Sequence, residues 1–230
     1  MRQIPLPIGP LADPTFSNFL PGPNVAALAQ LVAAADALPV PQPAPIYLWG
    51  PAGSGKTHLL QAFGAHMQVR GLEVACFDAS TQGPWHWSPD WQLVTIDRCD
   101  ALDSAAQQAT FALFIEAASQ GTQLVLAGRL PPVDLPLRDD LKSRLAWGHI
   151  LALQPLGDTD TRAALQQEAQ RRGLLLPDEV LDYLLTRVER NLGYLMRLLD
   201  ALDAYALAEG RHITVPLART LLAQTDLAPA

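Results

Sequence analysis

Cysteine, long apolar runs and positive charge are all scarce in this sequence. The 230 residues include two cysteines, Cys76 and Cys99, and both fall in or beside predicted strands. We therefore expect two reduced core thiols and no disulfide, as in proteins of the cell interior. No uninterrupted apolar stretch reaches about 18 residues, so a membrane-spanning helix is not expected. Residues 1–5 lack the apolar core of a signal peptide, which also favours a cytoplasmic protein.

Acidic side chains outnumber basic ones, with 23 Asp and Glu against 16 Lys and Arg and a net charge of −7. An acidic chain is a poor candidate for a protein that holds nucleic acid by itself, because affinity for the phosphate backbone depends on Lys and Arg. Apolar side chains, by contrast, make up 49% of the sequence, which is enough for a packed core. The length suits one large α/β domain and one small domain.

The segment from Gly50 to Thr57 carries the clearest chemistry. The run Ile46–Trp49 before it is typical of a buried strand, and residues 58–63 after it indicate the start of a helix. A strand, a glycine-rich loop that ends in Lys-Thr, and a helix form the setting of a Walker A phosphate-binding loop. The candidate nucleotide-binding residues here are Gly50, Pro51, Ala52, Gly53, Ser54, Gly55, Lys56, Thr57 and His58.

The residue types of this loop suit a polyphosphate. Glycines allow backbone angles closed to other residues, so consecutive N–H groups can point inward, and the following helix directs its positive end to the same place. Lys56 adds a positive charge near the outer phosphates, and the Thr57 hydroxyl suits Mg²⁺. The alternative is a glycine-rich turn with a surface lysine, but eight positions and both flanks agree with the motif.

Apolar runs alternate with helical patterns as far as residue 153. The predicted strands cover residues 46–49, 73–78, 93–97, 124–127 and 149–153. Strands that alternate with helices predict an α/β domain with a five-stranded, mainly parallel sheet covered on both faces. Asp97 ends the third strand and is a candidate to hold Mg²⁺ through water, the alternative being an ordinary turn aspartate.

From Asp158 onward no strand is evident, and four helical patterns predict a small all-helical domain. Asp158 and Asp178 are candidate N-caps of its helices, as Asn24 is for the first helix of the chain. The predicted domains are an extended tail over residues 1–14, an α/β nucleotide-binding domain over 15–154 and a helical domain over 155–230.

Two further stretches have unusual compositions. The prolines of residues 1–14 forbid a helix, and an extended peptide with apolar side chains suits docking into pockets of a partner. The residues of this peptide are Gln3, Ile4, Pro5, Leu6, Pro7 and Ile8. Residues 79–91 are predicted to form a loop with aromatic anchors at Trp85, Trp87 and Trp91. Stacking on single-stranded nucleic acid is the alternative, but no Lys or Arg accompanies the tryptophans.

From about Phe16 to Leu222 the sequence resembles the AAA+ ATPases of the bacterial DnaA group, and within it most closely the Hda-type regulatory inactivators of DnaA. The resemblance rests on the Walker A loop and on four further segments. These are Phe16–Asn24, Arg129–Pro132, Asp140–Gly148, and Gln154–Leu156 with the helices after it. The resemblance implies an AAA+ P-loop NTPase domain followed by a helical lid domain.

The resemblance also implies roles for particular residues. Phe16 and Asn24 would belong to the nucleotide pocket, and Arg144 would be an arginine finger that acts in trans on the ATP of a neighbouring subunit. Residues 3–8 would bind the beta subunit of DNA polymerase III, the sliding clamp. The implied ligands are ADP or ATP with Mg²⁺. The implied partners are the clamp and DnaA, with DNA reached only through the clamp, no membrane, and a homodimer as one candidate for the oligomeric state.

Three places depart from the pattern of the group. The first is Arg98, which follows Asp97, the aspartate at the Walker B position. The second is the pair Gly128–Arg129 at the end of the fourth strand, the position called sensor one, where the group often has two polar residues. The third is Gly193 at the position called sensor two, where an arginine that contacts the nucleotide is usual. Arg98 cannot orient an attacking water, as the second acid of many AAA+ enzymes does. Arg190 or Arg197 would have to replace the missing arginine. We therefore expect nucleotide binding with feeble hydrolysis by the chain itself.

Together these features predict a regulatory inactivator of DnaA that holds ADP, docks on the DNA-loaded clamp and stimulates hydrolysis of DnaA-bound ATP, which switches initiation off. Docking would raise the local concentration without adding contacts at the reactive site. The alternatives are a self-acting AAA+ ATPase, such as a helicase loader or a DnaA-like initiator paralogue, and a P-loop small-molecule kinase. A kinase would need basic lid residues over a phosphoacceptor pocket, whereas this lid is predicted to be helical and rich in leucine. Because the sequence ends soon after Leu222, we expect no helix-turn-helix for DNA.

Replacing Gln3 and Leu6 by alanine should abolish co-elution of the chain with the sliding clamp, because these side chains are the ones expected to enter pockets of the clamp. Size-exclusion chromatography of the mixed proteins measures this. Unchanged co-elution of the double variant would discard the docking peptide.

Overall fold

The computed structural model describes residues 13–188, 192–210 and 212–224. The predicted clamp-binding segment Gln3–Ile8 and Arg190 lie outside these residues. The chain divides into two compact units, Asp13–Pro155 and a second one that begins at Leu156. Each unit has a hydrophobic core of its own.

The first unit is built on a parallel sheet. Its strands are β1 (Ile46–Trp49), β2 (Glu73–Asp78), β3 (Trp91–Asp97), β4 (Gln123–Gly128) and β5 (His149–Ala152). Its helices are α1 (Val25–Ala37), α2 (Lys56–Val69), α3 (Ser104–Gln120) and α4 (Asp139–Ala146). The strand order is β2-β3-β4-β1-β5 and every pair is parallel, which confirms the predicted α/β fold.

Both faces of the sheet are covered, so its central strands are buried over most of their length. Every position of β4 is buried. In β1, Leu48 packs in the core cluster that holds side chains of α1 and α2, whereas Tyr47 packs in the cluster that holds side chains of α3 and α4. The two-residue period of a strand therefore sends neighbouring side chains of β1 to opposite cores.

Local signals fix both ends of α3. The carboxylate of Asp103 accepts a hydrogen bond from the N–H of Ala106 at 2.8 Å, which caps the amino end. Gly121 ends the helix in a left-handed conformation with φ of 72°. This is the usual role of glycine just past a helix, because a Cβ is disfavoured there.

The prediction of two core thiols is right for Cys99 and wrong for Cys76. Both thiols are free, but Cys99 is buried and Cys76 is exposed. Cys76 lies on β2, which is an edge strand of the sheet, and Ala75 is the one fully buried residue of that strand. A strand at the edge is covered less completely than a central one, which the apolar run in the sequence did not reveal.

The tryptophans of residues 79–91 form an aromatic cluster against β2. Trp85 stacks on Phe77 with ring centroids 4.6 Å apart, and Trp91 meets Phe77 edge-on at 5.9 Å. Trp87 in turn packs edge-on against Trp91 at 5.6 Å. The predicted aromatic anchors are confirmed, because the rings contact one another and secure the loop.

The predicted position of Asn24 is confirmed, but the expected side-chain cap is absent. Asn24 occupies the N-cap position of α1, but its side chain makes no capping hydrogen bond. Its Nδ2 instead donates to the carbonyl oxygen of Gln154 at 2.7 Å, and its Oδ1 accepts from the N–H of Gln154 at 2.8 Å. A contact between residues distant in sequence has therefore displaced the local one.

The second unit is helical. Its helices are α5 (Asp158–Arg171), α6 (Asp178–Arg187), α7 (Leu192–Glu209) and α8 (Val215–Gln224). Asp158 and Asp178 begin α5 and α6, so the prediction that they cap these helices is wrong: Gly157 and Pro177, with extended backbones, hold the N-cap positions. The two carboxylates still suit the positive helix ends. Within the described ranges, no helix is long and apolar enough to cross a membrane.

Asn24→Ala should destabilise the first unit by about 2 kcal/mol, because the backbone N–H and C=O of Gln154 would both lose the buried Asn24 side chain as their partner. All five tryptophans lie in this unit, so denaturation followed by tryptophan fluorescence reports on it. Asn18→Ala is the matched control. The Asn18 side chain also bonds twice to the backbone, but in an exposed turn, and its loss should cost under about 1 kcal/mol. Equal losses for the two variants would contradict the role of Asn24.

Candidate functional site

The candidate phosphate loop, Gly50–Thr57, connects the carboxyl end of β1 to the start of α2. Gly53 and Gly55 have φ angles of 76° and 91°, a left-handed backbone that glycine adopts without steric cost. At Gly55 an added Cβ would also approach Cε2 of Phe19 to 2.5 Å. Glycine at this position is therefore required both by the backbone and by the ring of Phe19, which lies over the loop.

The side chain of Lys56 curls back into the loop. Its Nζ donates to the carbonyl oxygens of Gly50 at 2.7 Å and Pro51 at 2.8 Å, and to Oγ of Ser54 at 3.3 Å. Burial lowers the pKa of Lys56, although the carboxylate of Asp97 favours the charged form. The ammonium therefore lies among the loop atoms, where it would meet the phosphates of a ligand.

The two predicted Mg²⁺ residues lie side by side. Oγ1 of Thr57 donates to Oδ2 of Asp97 at 2.5 Å, although the two residues are 40 positions apart in sequence. A hydroxyl and a carboxylate in contact at the start of a helix fit a hard cation that prefers oxygen ligands. The described residues contain no group of three or more His, Cys, Asp or Glu side chains that could hold a metal, so the remaining ligands would come from phosphates and water.

The segment that precedes α1 packs against the loop. Nε2 of His58 is 3.0 Å from the carbonyl oxygen of Thr15, and the ring centroids of Phe19 and His58 are 5.4 Å apart. Phe16 instead meets Phe63 edge-on at 5.9 Å and packs on the hydrophobic core. Of the two phenylalanines, Phe19 therefore lies over the loop, and Phe16 holds the segment from the core side.

Asn24 reaches the loop region by way of the chain after β5. Its partner Gln154 follows Leu153, whose carbonyl oxygen would overlap a Cβ added to Gly50. Both polar groups of the Asn24 side chain are used by the Gln154 backbone. In this structure Asn24 fixes the segment beside the loop.

Arg98 follows Asp97 with an uncommon backbone. It is the one non-glycine residue with positive φ among those described, at φ 53° and ψ 44°. Its N–H donates to Oδ1 of Asp97 at 2.7 Å, and its Nη2 lies 2.9 Å from Oδ2 of Asp78. The Ser80 hydroxyl and then Arg98 lower the pKa of Asp78 below its usual value. Arg98 thus lies where the pattern of the group has a second acid, and it is paired with Asp78 at the end of β2.

A polar cluster at the end of β4 was missed in the sequence. The Tyr47 hydroxyl donates to the carbonyl oxygen of Leu130 at 2.7 Å and occupies the place where Gly128 would carry a Cβ. Asp100 accepts from the backbone N–H and from Nε of Arg129, at 2.9 and 2.6 Å. The signal available in the sequence was the acid Asp100, three residues after Asp97, together with the base Arg129, which directly follows β4.

The predicted arginine finger, Arg144, lies elsewhere. Its guanidinium stands over the ring of Phe111, 4.6 Å from the centroid. None of the carboxylates in the described ranges forms an ion pair with it. The neighbouring Arg138 stands over the same ring at 5.6 Å, but it is paired with Asp140 at 2.6 Å.

Arg144 lines a shallow groove at the amino ends of the strands. The residues of this groove are Pro43, Pro45, Phe114, Ala117, Ala118, Thr122, Leu124, Arg144 and Trp147. Pro45 directly precedes β1 and Thr122 directly precedes β4, whereas the candidate phosphate loop follows the carboxyl end of β1. The four residues of β1 separate these two edges by about 13 Å, at roughly 3.3 Å per residue. The structure therefore does not bring Arg144 to the loop of its own chain.

The sensor-two position lies in the second unit. Gly193 is in the first turn of α7, and the guanidinium of Arg197 stands over the ring of Tyr194 at 5.9 Å from the centroid. Arg197 is thus engaged within its own helix.

Comparison with known proteins gives consistent results for both units. A model of the bacterial DnaA ATPase domain matches residues 12–76, and a model of the Hda lid domain matches residues 158–222. Domain III of the replication initiation protein DnaA from Thermotoga maritima has a TM-score of 0.78 and 25% identity, over 94% of this chain and 98% of that one.

Two further solved structures are similar in fold. AMPPCP-bound DnaA from Aquifex aeolicus has a TM-score of 0.65 and 23% identity, with 86% of this chain and 68% of that chain covered. The RuvB Holliday junction branch migration motor of Thermotoga maritima has a TM-score of 0.65 and 16% identity, with 91% and 71% covered.

Gly128→Ala should destabilise the first unit by about 2 kcal/mol, because its Cβ would overlap the Tyr47 hydroxyl. Tyr47→Phe should cost about 1 kcal/mol by leaving the Leu130 carbonyl without this donor. In the double variant the Cβ would meet ring carbon Cζ at 3.3 Å, so the combined loss should fall short of the sum by about 1 kcal/mol. Denaturation followed by tryptophan fluorescence measures the three values, and strict additivity would refute the coupling.

Proposed function

Because this chain is an AAA+ protein of the Hda and DnaA type, we propose that it regulates replication initiation by inactivating DnaA. It holds ADP or ATP with Mg²⁺ in the loop Gly50–Thr57 and docks on the sliding clamp through Gln3–Ile8. It then stimulates hydrolysis of the ATP bound to DnaA through Arg144. DNA is reached only through the clamp.

The loop geometry supports nucleotide binding. Left-handed glycines, an ammonium inside the loop and the start of α2 are the features that hold phosphates in loops of this kind. Solved structures of DnaA in complex with AMPPCP share this fold. Thr57 and Asp97 would hold Mg²⁺ together with phosphate and water oxygens. A nucleotide at a thousandfold excess over its Kd would stabilise the folded chain by roughly 4 kcal/mol.

The environment of Arg98 supports feeble hydrolysis by the chain itself. A guanidinium can neither orient nor deprotonate an attacking water, and this one is paired with Asp78. The lid offers Gly193 where a sensor-two arginine is usual. The bound nucleotide then serves mainly as a structural ligand.

The location of Arg144 is the observation that carries the proposal. It lies at the amino edge of the sheet, about one strand length from the loop of its own chain. Aromatic stacking holds it in place, and no carboxylate within the described residues neutralises it. A fixed, partly exposed guanidinium that cannot serve its own site is suited to a ligand on another chain.

A guanidinium has the right chemistry for this role. It is planar, permanently charged and forked, so it can neutralise charge that develops on a phosphoryl group during transfer. Fingers of this kind contribute about 10³- to 10⁵-fold to the rate. Trp147, which is 83% exposed and lines the same groove, gives the partner an aromatic anchor beside the finger.

Arg144→Ala should abolish stimulation of DnaA-bound ATP hydrolysis, a loss of up to roughly 10³-fold, while clamp binding stays intact. The assay contains the DNA-loaded clamp, ATP-bound DnaA and the full chain, and it measures conversion of the ATP held by DnaA. Arg138→Ala is the matched control. It removes a second guanidinium from the same Phe111 ring but should keep the stimulation, because Arg138 is already paired with Asp140.

Full stimulation by Arg144→Ala would show that the finger assignment is wrong. Loss of stimulation in both variants would point to damage around Phe111, and not to a specific contribution of Arg144. Brisk ATP turnover by the unaltered chain alone, without effect on DnaA, would favour the self-acting ATPase instead.

A further inference from the structure

The ring of Phe111 is an aromatic platform beneath the guanidinium of Arg144. Phe111 lies on α3, and Cζ of Arg144 stands 4.6 Å from the centroid of its ring. Both side chains are half-buried. The face of an aromatic ring attracts a cation at this distance, and the attraction grows where water is partly excluded. The contact therefore selects one position for the end of the arginine.

An aromatic ring holds a guanidinium without using its hydrogen-bond donors. Among the hydrogen bonds and ion pairs of the described residues, none involves the side-chain nitrogens of Arg144. A carboxylate would occupy those donors, as Asp140 does with the neighbouring Arg138 at 2.6 Å. Arg144 is therefore held in place while its forked donors stay available to an anion.

A second side chain of α3 fixes the beginning of α4. Oε1 of Gln107 accepts from the backbone N–H of Arg138, the N-cap residue of α4, at 3.1 Å. Its Nε2 donates to the carbonyl oxygen of Leu102 at 3.0 Å. Gln107 and Phe111 are four residues apart on one helix, so they share a face. This face of α3 meets α4 at its start and again at Arg144, in its last turn.

Apolar packing fixes the helix α4 but not the end of the arginine. Leu141 and Leu145 are buried in the core cluster that also holds side chains of α3, and they place the backbone of Arg144. A long side chain with several rotatable bonds still samples many conformers unless a further contact selects one. The ring of Phe111 supplies that contact.

We propose that Phe111 is a positioning residue for Arg144, whose ring holds the guanidinium in the orientation that reaches a phosphoryl group bound by the partner. This inference rests on the proposed action of Arg144 on the ATP held by DnaA. A side chain ordered before the partner arrives loses less entropy at the reactive site, which raises the rate of the chemical step and leaves the affinity for the partner unchanged. The competing explanation is that Phe111 only fills space between α3 and α4.

Phe111→Leu tests the platform, because leucine keeps an apolar side chain but has no aromatic face. The assay contains the DNA-loaded clamp, ATP-bound DnaA and the full chain. The maximal stimulated rate should fall about 2- to 30-fold, the change that corresponds to a cation–π contact. The chain concentration that gives half-maximal stimulation should match that of the parent. Phe111→Tyr keeps the aromatic face and should restore the rate.

Nuclear magnetic resonance observes the same contact without any partner. An aromatic ring shields protons that lie over its face, so the Nε–H signal of Arg144 should move downfield in Phe111→Leu and stay in place in Phe111→Tyr. The signal is assigned by its loss in Arg144→Lys. Phe111→Met, which also lacks an aromatic face, provides both measurements if the leucine variant does not fold.

The outcomes separate this inference from the function on which it rests. If the parent stimulates hydrolysis, an unchanged maximal rate in Phe111→Leu, or an equal loss in Phe111→Leu and Phe111→Tyr, overturns the positioning role and leaves the proposed function standing. An unmoved Nε–H signal in Phe111→Leu overturns it as well. Absence of stimulation by the parent overturns both. A loss of rate that Phe111→Tyr restores, together with the moved signal, supports the assignment.

Discussion

Parallel pairing of β3, β4 and β1 is the constraint on which the candidate site depends. Their carboxyl ends lie at one edge of the sheet, so the residues that follow them meet although they are far apart in sequence. The loop after β1, Asp97 at the end of β3 and Arg129 after β4 are brought together in this way. Crevices at the carboxyl ends of parallel strands are where α/β proteins commonly bind ligands.

The opposite edge of the same sheet has a different composition. There the chain places Arg144, Trp147 and two prolines in a shallow groove, with the guanidinium held on Phe111. In the proposed function, one domain thus separates a site for its own nucleotide from an arginine available to a neighbour. The proposed action in trans follows from this separation by one strand length. The helix α4, which carries Arg144, is packed on the core through Leu141 and Leu145.

Arg98 and Arg129 are the residues through which the proposed nucleotide site would keep its ligand while its own chemistry is weakened. Arg98 takes the position of a second acid and is paired with Asp78, which removes a group that could act on water. Arg129 replaces a polar side chain by a fixed cation beside the loop. In the proposed function both changes would favour holding phosphates over cleaving them.

The sequence by itself determined the strands, the helices and the loop Gly50–Thr57, because apolar periodicity and glycine at fixed places are local properties. It also predicted the parallel sheet, since strands alternated with helices. The contacts of Asn24, Arg98, Asp100 and Tyr47 were decided only by the tertiary structure. Each depends on a partner from another strand end: Asn24 bonds to Gln154 instead of capping α1, and Tyr47 occupies the space beside Gly128. These contacts form because the sheet brings distant segments together, and a local sequence pattern does not specify which segments will meet.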